Sequence, residues 1–465
     1  MRLFQKYILS ICVIYTIFYY RTLISQNFIP DAFCSVPVAD LLSSPLCNFF
    51  TTQDSEEAYQ LLPYAEKQSI TCPRIGQLLF NEPVKIIKTC DQEVEVLLEH
   101  MHYVLPGTGG KKRFSYWMLK KNLTPITPLC EHALPPPFLK HNTTLNTPQQ
   151  ANTHAHDNFS PHTQAHKQEL KNTETPSVIC LHMPYYDPIT NQTFSAGTRF
   201  VCAHPQEFDS INVHTQELTH HNLPVLVYDR QLEKTRVITI PDCYWIKEKR
   251  RTKQQQRIVC IKILKNWAHL TRDIHFETSE NFPEYSNTSY VPYVIGGASI
   301  STFITKNTFS LTPSTHTHQK SRYYTRHTNT CSPEYPLTGS DCTHLVLRAA
   351  QLAGIPFTAG NSLAQLQELK KFSDLDNPEP GDLIYWKGHV AIISDTTKNL
   401  LIEARSYQDG YGVILEIPYN QELKDIFTTN DLVRAYHDKK EITRLHKSGK
   451  KCQTIHKIML LKLLS

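Results

Sequence analysis

One run of residues, LTGSDCTHLVLRAA at positions 337–350, carries the clearest fold signal in the chain. Turn-forming residues come first, a cysteine follows, and apolar residues then recur at helical spacing. The pattern predicts a helix from about Cys342 to Ala353, with Gly354 as its C-terminal stop. A thiol at a helix N-terminus meets exposed backbone N–H groups and the positive end of the helix dipole, and both favour the thiolate. Cys342 is therefore a candidate nucleophile.

Two polar residues further along the chain supply a candidate base and a candidate orienting acid. His389 begins the strand-like run HVAII, and Glu403 lies within the strand-like run LLIEA. An unpaired charge in an apolar strand costs several kcal/mol, so Glu403 predicts a partner, for which His389 is the natural choice. The turn residues at 395–399 would fold the two runs back on each other. Taken singly, each residue is more often structural: the cysteine is then a small buried hydrophobe and the histidine a strand cap.

Length and charge narrow the class of protein only a little. The chain has 465 residues, which suggests about three domains, and 40% of its residues are hydrophobic. The net charge of +5 comes from interspersed basic and acidic residues. It gives no argument for nucleic acid as a partner.

The first 25 residues have the charge and hydropathy of an export signal. Basic residues at positions 2 and 6 precede an uncharged apolar run over 7–20, and Arg21 closes it. The segment predicts a signal peptide or a signal anchor, although the run is short for a full membrane span. We therefore expect an exported protein that is periplasmic, part of the cell envelope or secreted, either released or held by an N-terminal membrane anchor.

Thirteen cysteines in an exported chain predict some disulfides. Cys342 must stay reduced if it is the nucleophile, and pairing with Cys331 upstream would silence it. Candidate pairs elsewhere are Cys34–Cys47, Cys72–Cys90 and Cys180–Cys202.

Composition divides the chain into six parts. Two regions show short alternating or apolar runs separated by turn residues, as is typical of small β domains, and the segment between them has too few large apolar residues to fold. The predicted parts are a signal segment at 1–25, a first β domain at 31–125, a polar linker at 126–176, a second β domain at 177–250, a catalytic domain at 255–437 with an insertion at 300–338, and a basic tail at 438–465.

The C-terminal part predicts a helix followed by a small antiparallel sheet, an α+β arrangement like that of papain. Its motifs resemble those of the NlpC-type cell-wall cysteine peptidases. The resemblance rests on GSDCTHLV at 339–346, PGDLIYW at 380–386, GHVAI at 388–392, LIEA at 401–404 and PYVIGG at 292–297, which occur in the family's order.

The N-terminal half resembles the first bacterial SH3-like domain of γ-D-glutamyl-L-diamino acid endopeptidases of the dipeptidyl-peptidase VI type. SVPVADL at 35–41 and QLLFNEPV at 77–84 carry this likeness. The resemblance covers about 33–125 and 258–437, and is weaker over 177–248, which is assigned as a second such domain by its position. It implies a papain-like NlpC catalytic domain preceded by two small β-barrel SH3-like domains.

The resemblance implies a role for each matching residue. Cys342 is the nucleophile and His389 the base, while Glu403 stands where the family has a third polar residue, often another histidine. Tyr293 matches a family tyrosine whose hydroxyl lies near the nucleophile, so with the Cys342 N–H it could stabilise an oxyanion. Ser340 and Asp341 flank the nucleophile and either contact substrate or cap the helix.

Several positions depart from the family pattern. Thr343 and His344 replace a small Ser-Gly pair after the cysteine, and Ile295 replaces an aromatic residue. Asn361 and Ser362 lie where relatives carry an Arg-Asp-Ser-type motif, whose aspartate helps hold the free amine of the substrate. Since Asn361 lacks that charge, a requirement for a free N-terminal L-Ala is left open.

The implied function is hydrolysis of peptidoglycan stem peptides between γ-D-Glu and a diamino acid, through a thioester. The partners expected are stem peptides or muropeptides, from the organism's own wall or another source, with no nucleic acid, metal or cofactor, and the protein is expected to be a monomer. One alternative is a CHAP-type amidase or endopeptidase, which also uses cysteine, histidine and sometimes glutamate. Another is a non-catalytic wall-binding adaptor, motivated by His344, Ile295 and Asn361.

Overall fold

The computed structural model describes most of the two β regions and of the C-terminal region. The described residues are 28–50, 55–60, 72–136, 177–187, 192–203, 222–230, 232–269, 289–291, 293–300, 303–304, 339–373, 377–406 and 411–464. The predicted signal segment, most of the polar linker, nearly all of the insertion and Cys331 lie outside them. Within the described part, no helix is long and apolar enough to cross a membrane.

The first β region forms one seven-stranded antiparallel sheet in the order β3-β2-β8-β5-β4-β1-β9. The order is open, so a closed barrel is not seen among the described residues, and the SH3-like assignment stays a prediction. The elements are β1 (Ala32–Cys34), β2 (Val38–Leu42), α1 (Ser55–Gln60), β3 (Arg74–Leu79), β4 (Pro83–Cys90), β5 (Glu93–Leu97), β6 (Tyr103–Val104), β7 (Lys112–Arg113), β8 (Ser115–Leu119), β9 (Leu123–Pro125) and α2 (Pro128–Glu131).

The second β region forms a five-stranded sheet in the order β15-β14-β13-β10-β16, beside a two-stranded ribbon of β11 and β12. Phe80, from the turn after β3, packs into its core against Phe194 and Phe200, so the two regions share apolar contacts. The strands are β10 (Val178–Leu181), β11 (Tyr185–Asp187), β12 (Gln192–Phe194), β13 (Arg199–Cys202), β14 (Asn222–Asp229), β15 (Lys234–Pro241) and β16 (Trp245–Lys247).

The C-terminal region packs two helices against a six-stranded antiparallel sheet in the order β19-β26-β20-β21-β22-β23. This confirms the α+β class. Its elements are α3 (Lys253–His269), β17 (Ser289–Tyr290), β18 (Phe303–Ile304), α4 (Cys342–Ala353), α5 (Ser362–Glu368), β19 (Lys370–Lys371), β20 (Leu383–Trp386), β21 (His389–Asp395), β22 (Leu400–Arg405), β23 (Val413–Pro418), α6 (Tyr419–Glu422), α7 (Thr429–His437), β24 (Ile442–Leu445), β25 (Lys451–Ile455) and β26 (Met459–Lys462).

Helix α4 begins and ends as its sequence predicts. The Asp341 side chain accepts from the N–H groups of Thr343 and His344 and so caps the N-terminus. Gly354 takes the left-handed conformation at φ 81° and closes the C-terminus. Nearly every residue of the helix is buried, against α3 on one side and β21 and β22 on the other. The candidate nucleophile therefore lies at the start of the most enclosed helix in the described part of the domain.

The C-terminal segment is part of the six-stranded sheet and not a separate basic tail. Strand β26 pairs with β20 on one side and with β19 on the other. Strands β24 and β25 form a hairpin beside the sheet. The apolar Leu460 and Leu461 are completely buried in β26, which is why the segment packs despite the basic residues before it.

No disulfide bond joins any of the three predicted pairs, all six of whose cysteines are described in the structure. Cys34 and Cys72 are buried whereas their proposed partners, Cys47 and Cys90, are exposed. Cys180 and Cys202 lie on neighbouring strands but out of register, because Cys180 stands opposite Arg199. Their side chains join different apolar cores.

Candidate active site

Cys342 is the first residue of α4 and is only 6% exposed. Burial above all, and then the neighbouring Asp341 carboxylate, raise the pKa of its thiol to about 12. The backbone N–H of Val390 and the charge of Arg444 act in the opposite direction without prevailing. The resting side chain is therefore a protonated thiol, and it needs a base to become a nucleophile.

The helix dipole does not activate this cysteine as the sequence predicted. Oδ1 of Asp341 accepts from the N–H groups of Thr343 and His344 at 3.0 and 2.8 Å. A carboxylate thus occupies the positive end of α4, and its charge opposes the effect of the helix dipole on the neighbouring thiol. Burial and the Asp341 carboxylate together leave the pKa of the Cys342 thiol raised, despite its place at the helix N-terminus.

His389 and Glu403 form the pair that the sequence predicts. The two-residue turn after β20, with Gly388 at φ 85°, places His389 at the first position of β21. Glu403 lies on the neighbouring strand β22, and its Oε2 is 2.7 Å from Nε2 of His389. Because an ionised carboxylate only accepts hydrogen bonds, the Nε2 atom carries the proton in this pair. The lone pair is then on Nδ1, the atom that must serve the thiol.

Glu403 is completely buried, and two arginines hold it ionised. Burial alone would raise its pKa, but Arg444, the hydrogen bond to His389 and Arg405 outweigh burial and hold the pKa well below its usual range. Nη2 of Arg444 donates to Oε2 of Glu403 at 3.1 Å. Arg405 and Arg444 both also contact Glu422, at the end of α6. The acid is thus anchored in a buried charged cluster.

Trp386 covers one side of the histidine. Its ring centroid is 4.8 Å from that of His389, and the Arg444 guanidinium lies 5.2 Å from the Trp386 ring centroid. Aromatic and cationic groups so placed attract each other. The imidazole therefore has a fixed orientation, set by a ring contact as well as by Glu403.

Tyr293 reaches the site region through its backbone. It forms a parallel bridge with Ser340, two residues before the nucleophile, and its N–H donates to the Gly412 carbonyl at 2.8 Å. Its side chain is half-buried against the main core. The placement brings Tyr293 beside the nucleophile segment, and an oxyanion role for its hydroxyl stays a prediction.

Ser340 and Asp341 make internal contacts. Ser340 is completely buried, and its hydroxyl donates to the Asp341 carbonyl at 3.0 Å. Oδ2 of Asp341 accepts from the Gly296 N–H at 3.0 Å, and its Oδ1 is 3.0 Å from Nδ1 of His344. Of the two roles open from sequence, helix capping is the one seen for Asp341, whereas Ser340 makes neither kind of contact in the hydrogen bond given above.

Asn361 and Ser362 lie at the start of α5. Oδ1 of Asn361 accepts from the Ala364 N–H at 3.0 Å and so caps that helix. The same side-chain amide makes two hydrogen bonds to the backbone of Val104 in the first β region. Its oxygen accepts from the Val104 N–H at 3.3 Å, and its nitrogen donates to the Val104 carbonyl at 2.8 Å. Ser362 is the first residue of the helix and is half-buried. Asn361 therefore links the start of α5 to the first β region.

The first β region supports the loop that leads to the nucleophile. Nε of Arg74 donates to the Ile295 carbonyl at 2.8 Å, and Oε1 of Gln77 accepts from the Ala298 N–H at 3.0 Å. A side chain on Gly296, which has φ 66°, would lie 2.8 Å from the Arg74 carbonyl. Gly296 thus permits a close approach between β3 and this loop.

Arg444, Arg405 and Glu422 are site residues that sequence reasoning missed. Arg444 lies in the segment set aside as a basic tail, and Glu422 lies in a short helix without a motif. One signal was present: Glu403 and Arg405 alternate with apolar residues on a single strand, so two charges enter the same buried sheet. That pattern predicts further buried partners of opposite charge.

No protein-family model matches the sequence, and no curated protein matches it. A similar solved structure is that of an NlpC/P60 family protein from Bacillus cereus ATCC 10987, with 14% identity and a TM-score of 0.44 over 84% of this chain and 94% of that one. NlpC2 from Trichomonas vaginalis is 10% identical with a TM-score of 0.27, over 85% of this chain and 94% of that one. NlpC1 from the same organism is 10% identical with a TM-score of 0.28, over 85% of this chain and 90% of that one.

Proposed function

We propose that this protein is a cysteine peptidase in which Cys342 is the nucleophile, His389 the general base and Glu403 the acid that orients the base. The observation that carries this proposal is the buried 2.7 Å contact between His389 and Glu403, on strands that pack against the helix beginning with Cys342. A buried carboxylate aimed at one imidazole nitrogen fixes the tautomer that can accept a proton on the other.

The reaction divides into acylation and deacylation. Nδ1 of His389 takes the thiol proton as the Cys342 sulfur attacks the carbonyl carbon of the scissile amide. The backbone N–H of Cys342 and the Tyr293 hydroxyl would stabilise the oxyanion that forms. Collapse of this intermediate breaks the C–N bond, and the imidazolium gives its proton to the leaving amine.

Deacylation uses the same base. His389 takes a proton from a water molecule that attacks the thioester, and then returns it to the sulfur as the acid product leaves. Glu403 remains ionised throughout and stabilises each imidazolium that forms. No group outside the protein and the water molecule is needed to balance either step.

The substrate we propose is the peptidoglycan stem peptide, cut between γ-D-Glu and a diamino acid. The support for it is the resemblance of the motifs around Cys342, His389 and Glu403 to those of NlpC-type peptidases. The export signal predicted at residues 1–25 would place the enzyme where wall peptides occur. Stem peptides or muropeptides would be its partners.

One experiment tests the reaction and the bond together. The protein and its Cys342→Ala variant are incubated with defined tri- and tetrapeptides, free and N-terminally blocked, and the products are identified by mass spectrometry. Cleavage after γ-D-Glu that is lost in Cys342→Ala supports the proposal. Cys260→Ala is the matched control, because Cys260 is a buried cysteine of the same core on α3. Undiminished cleavage by Cys342→Ala would contradict the mechanism, and cleavage of another bond would contradict the substrate.

A non-catalytic wall-binding protein is the second candidate, and the buried, protonated thiol of Cys342 is the observation that favours it. This candidate predicts binding of muropeptides without turnover. Its binding would be unchanged in Cys342→Ala. Cleavage lost with that substitution excludes it.

A further inference from the structure

A cavity lies where the two β regions and the C-terminal region meet. Its volume is about 190 Å³, and its lining includes His100 from the first β region, Cys180 from β10 of the second, and the end of α4. Cys342 begins that helix, whereas the cavity adjoins its last turn. At 1.5 Å per residue, the 12 residues of α4 separate its two ends by about 18 Å. The cavity is therefore distinct from the candidate active site.

Much of the cavity wall is apolar. Leu352, Ile355 and Phe357 follow one another around the end of α4, and each is at most 5% exposed. Phe28 and Pro83 add apolar surface from the first β region. An apolar protein cavity of about 150 Å³ stays free of water and binds benzene. The volume and the wall of this cavity therefore suit an apolar group of about the size of one ring.

The negative end of α4 already has donors from within the protein. Nε2 of Gln256 donates to the Gly354 carbonyl at 2.6 Å. Arg251 crosses the same helix end, with Nη1 3.5 Å from the Ala353 carbonyl and Nη2 donating to the Lys247 carbonyl at 2.9 Å. The helix end therefore does not call for a cationic ligand in the cavity.

Positive charge dominates the polar part of the lining. Nη2 of Arg348 donates to Glu82, outside the lining, at 3.1 Å. Glu248 accepts from Nε of Arg199, also outside it, at 2.8 Å. The other charged side chains among the described lining residues are three cations and one carboxylate, namely Lys249, Arg250, Arg251 and Glu99. A ligand in the cavity therefore meets a net positive charge.

The cations lie where a charged group of the ligand could stay hydrated. Lys249 and Arg250 are exposed, so they form the solvent side of the lining. Hydrogen bonds from cations to a carboxylate are stronger than neutral ones, and a guanidinium can bind both carboxylate oxygens. An apolar interior with a cationic rim is therefore complementary to a small apolar molecule that carries a carboxylate.

We propose that this cavity binds a small carboxylate whose apolar body is about one ring in size, with the ring against the apolar wall and the carboxylate at Lys249 and Arg250. The inference goes beyond the proposed peptidase reaction and does not depend on it, because Cys342 and His389 lie outside the lining.

Phenylacetate is the probe, and phenylacetamide is the matched ligand of nearly the same shape without the charge. Binding to the full chain is measured by ligand-observed NMR titration and by the midpoint of thermal unfolding. We expect saturable binding of phenylacetate at about 10 mM or below, a raised unfolding midpoint, and about tenfold weaker binding of phenylacetamide. The absence of saturable phenylacetate binding, or equal affinity for the two probes, would overturn the proposal.

Substitutions then locate the ligand. Ile355→Phe adds volume to the cavity wall and should abolish binding of both probes. A double variant, Lys249→Gln with Arg250→Gln, should weaken phenylacetate binding about tenfold, to the level of phenylacetamide. Lys424→Gln with Arg434→Gln is the matched control, because it removes two charges from exposed positions elsewhere in the C-terminal region and should leave the affinity unchanged.

Each variant can contradict the proposal. Binding that persists in folded Ile355→Phe would place the ligand outside the cavity. Unchanged phenylacetate affinity in the Lys249 and Arg250 double variant, or an equal loss in the control pair, would show that the rim cations do not hold the carboxylate. If Ile355→Phe does not fold, the two double variants still decide, since their altered side chains are exposed. Peptide cleavage is measured separately, so its failure would leave the binding result intact.

Discussion

The substitution Glu403→Gln tests how much Glu403 contributes to activity in its proposed role as the acid that orients His389. The substitution keeps the shape of the side chain and removes its charge. Oε2 of Glu403 accepts from both His389 and Arg444, whereas Oε1 is 3.7 Å from Nη1 of Arg405. A glutamine can therefore keep its oxygen at the Oε2 position and preserve the tautomer of His389, with its amide nitrogen turned toward Arg405. The main effect of Glu403→Gln is then the loss of the negative charge beside the His389 imidazolium.

The expected magnitude follows from that distance. Two unit charges 2.7 Å apart interact by about 6 kcal/mol at an effective dielectric constant of about 20. The imidazolium is about half formed when the proton is in transfer, so about 3 kcal/mol of transition-state stabilisation is lost. We therefore expect kcat/KM to fall about 10²-fold.

The assay is kcat/KM on a defined stem peptide as a function of pH, with circular dichroism to show that the variant is folded. Glu403→Ala is the companion variant, because it loses the acceptor as well as the charge and should fall further. Removing one partner of a buried ion cluster costs about 3–5 kcal/mol of stability, so both variants are compared below their unfolding temperatures. Equal activity of Glu403→Gln and the unmodified enzyme would refute an electrostatic role for this carboxylate. Equal losses in the Gln and Ala variants would refute the retained tautomer.

Four further outcomes follow from the contacts described. Arg348→Met leaves the buried Glu82 carboxylate without its guanidinium, and we expect about 3–5 kcal/mol lower stability in chemical denaturation. Asn361→Asp loses the amide donor to the Val104 carbonyl, so thermal unfolding should report a free energy of unfolding lower by about 1–3 kcal/mol. The ratio of cleavage rates on free and N-blocked peptides should not change. A new preference for the peptide with a free amine would show that residue 361 contacts substrate instead. Burial raises the pKa of Asp341, but His344 and the helix N–H groups lower it more, so the folded pKa of this carboxyl lies below its unfolded value. The stability that Asp341 contributes is therefore present at neutral pH and is lost as the pH falls below about 4. Asp341→Asn should flatten that part of the acid-unfolding curve. Deletion of residues 457–465 removes β26 from between β19 and β20 and should prevent folding of the C-terminal region, as measured by soluble yield and circular dichroism.

The parts of the fold set by local pattern were accessible from the sequence. Helix α4 begins at Cys342 and ends before Gly354 as predicted. Both ends could be predicted because helix capping and the helical spacing of apolar residues depend only on residues close together in the sequence. The three strands that follow pair as one antiparallel sheet. The contact between His389 and Glu403 could be predicted because a buried carboxylate needs a partner and only a short hairpin separates the two strands.

The parts set by long-range packing were not accessible. Arg444 reaches His389 from 55 residues away, and nothing in its neighbourhood marks it as different from the other basic residues of that segment. Strand β26 joins the sheet because Leu460 and Leu461 fill space beside β20. The motif position of Asn361 suggests substrate binding, but its amide group is hydrogen-bonded to the first turn of α5 and to Val104. In each case the decisive partner lies far away in the sequence.

The sequence pattern around Cys342 and the structure disagree about what would make this thiol nucleophilic. A cysteine at a helix start suggests activation by the dipole, yet the Asp341 carboxylate takes the first N–H groups of α4 and Cys342 is buried. Under the proposed mechanism, activation would come from His389, and three contacts restrain that imidazole. Glu403 fixes its tautomer, Trp386 fixes its plane, and Arg444 holds Glu403 in place. A thiol that stays protonated until the base is used would also be protected from oxidation, since the thiolate is the reactive form.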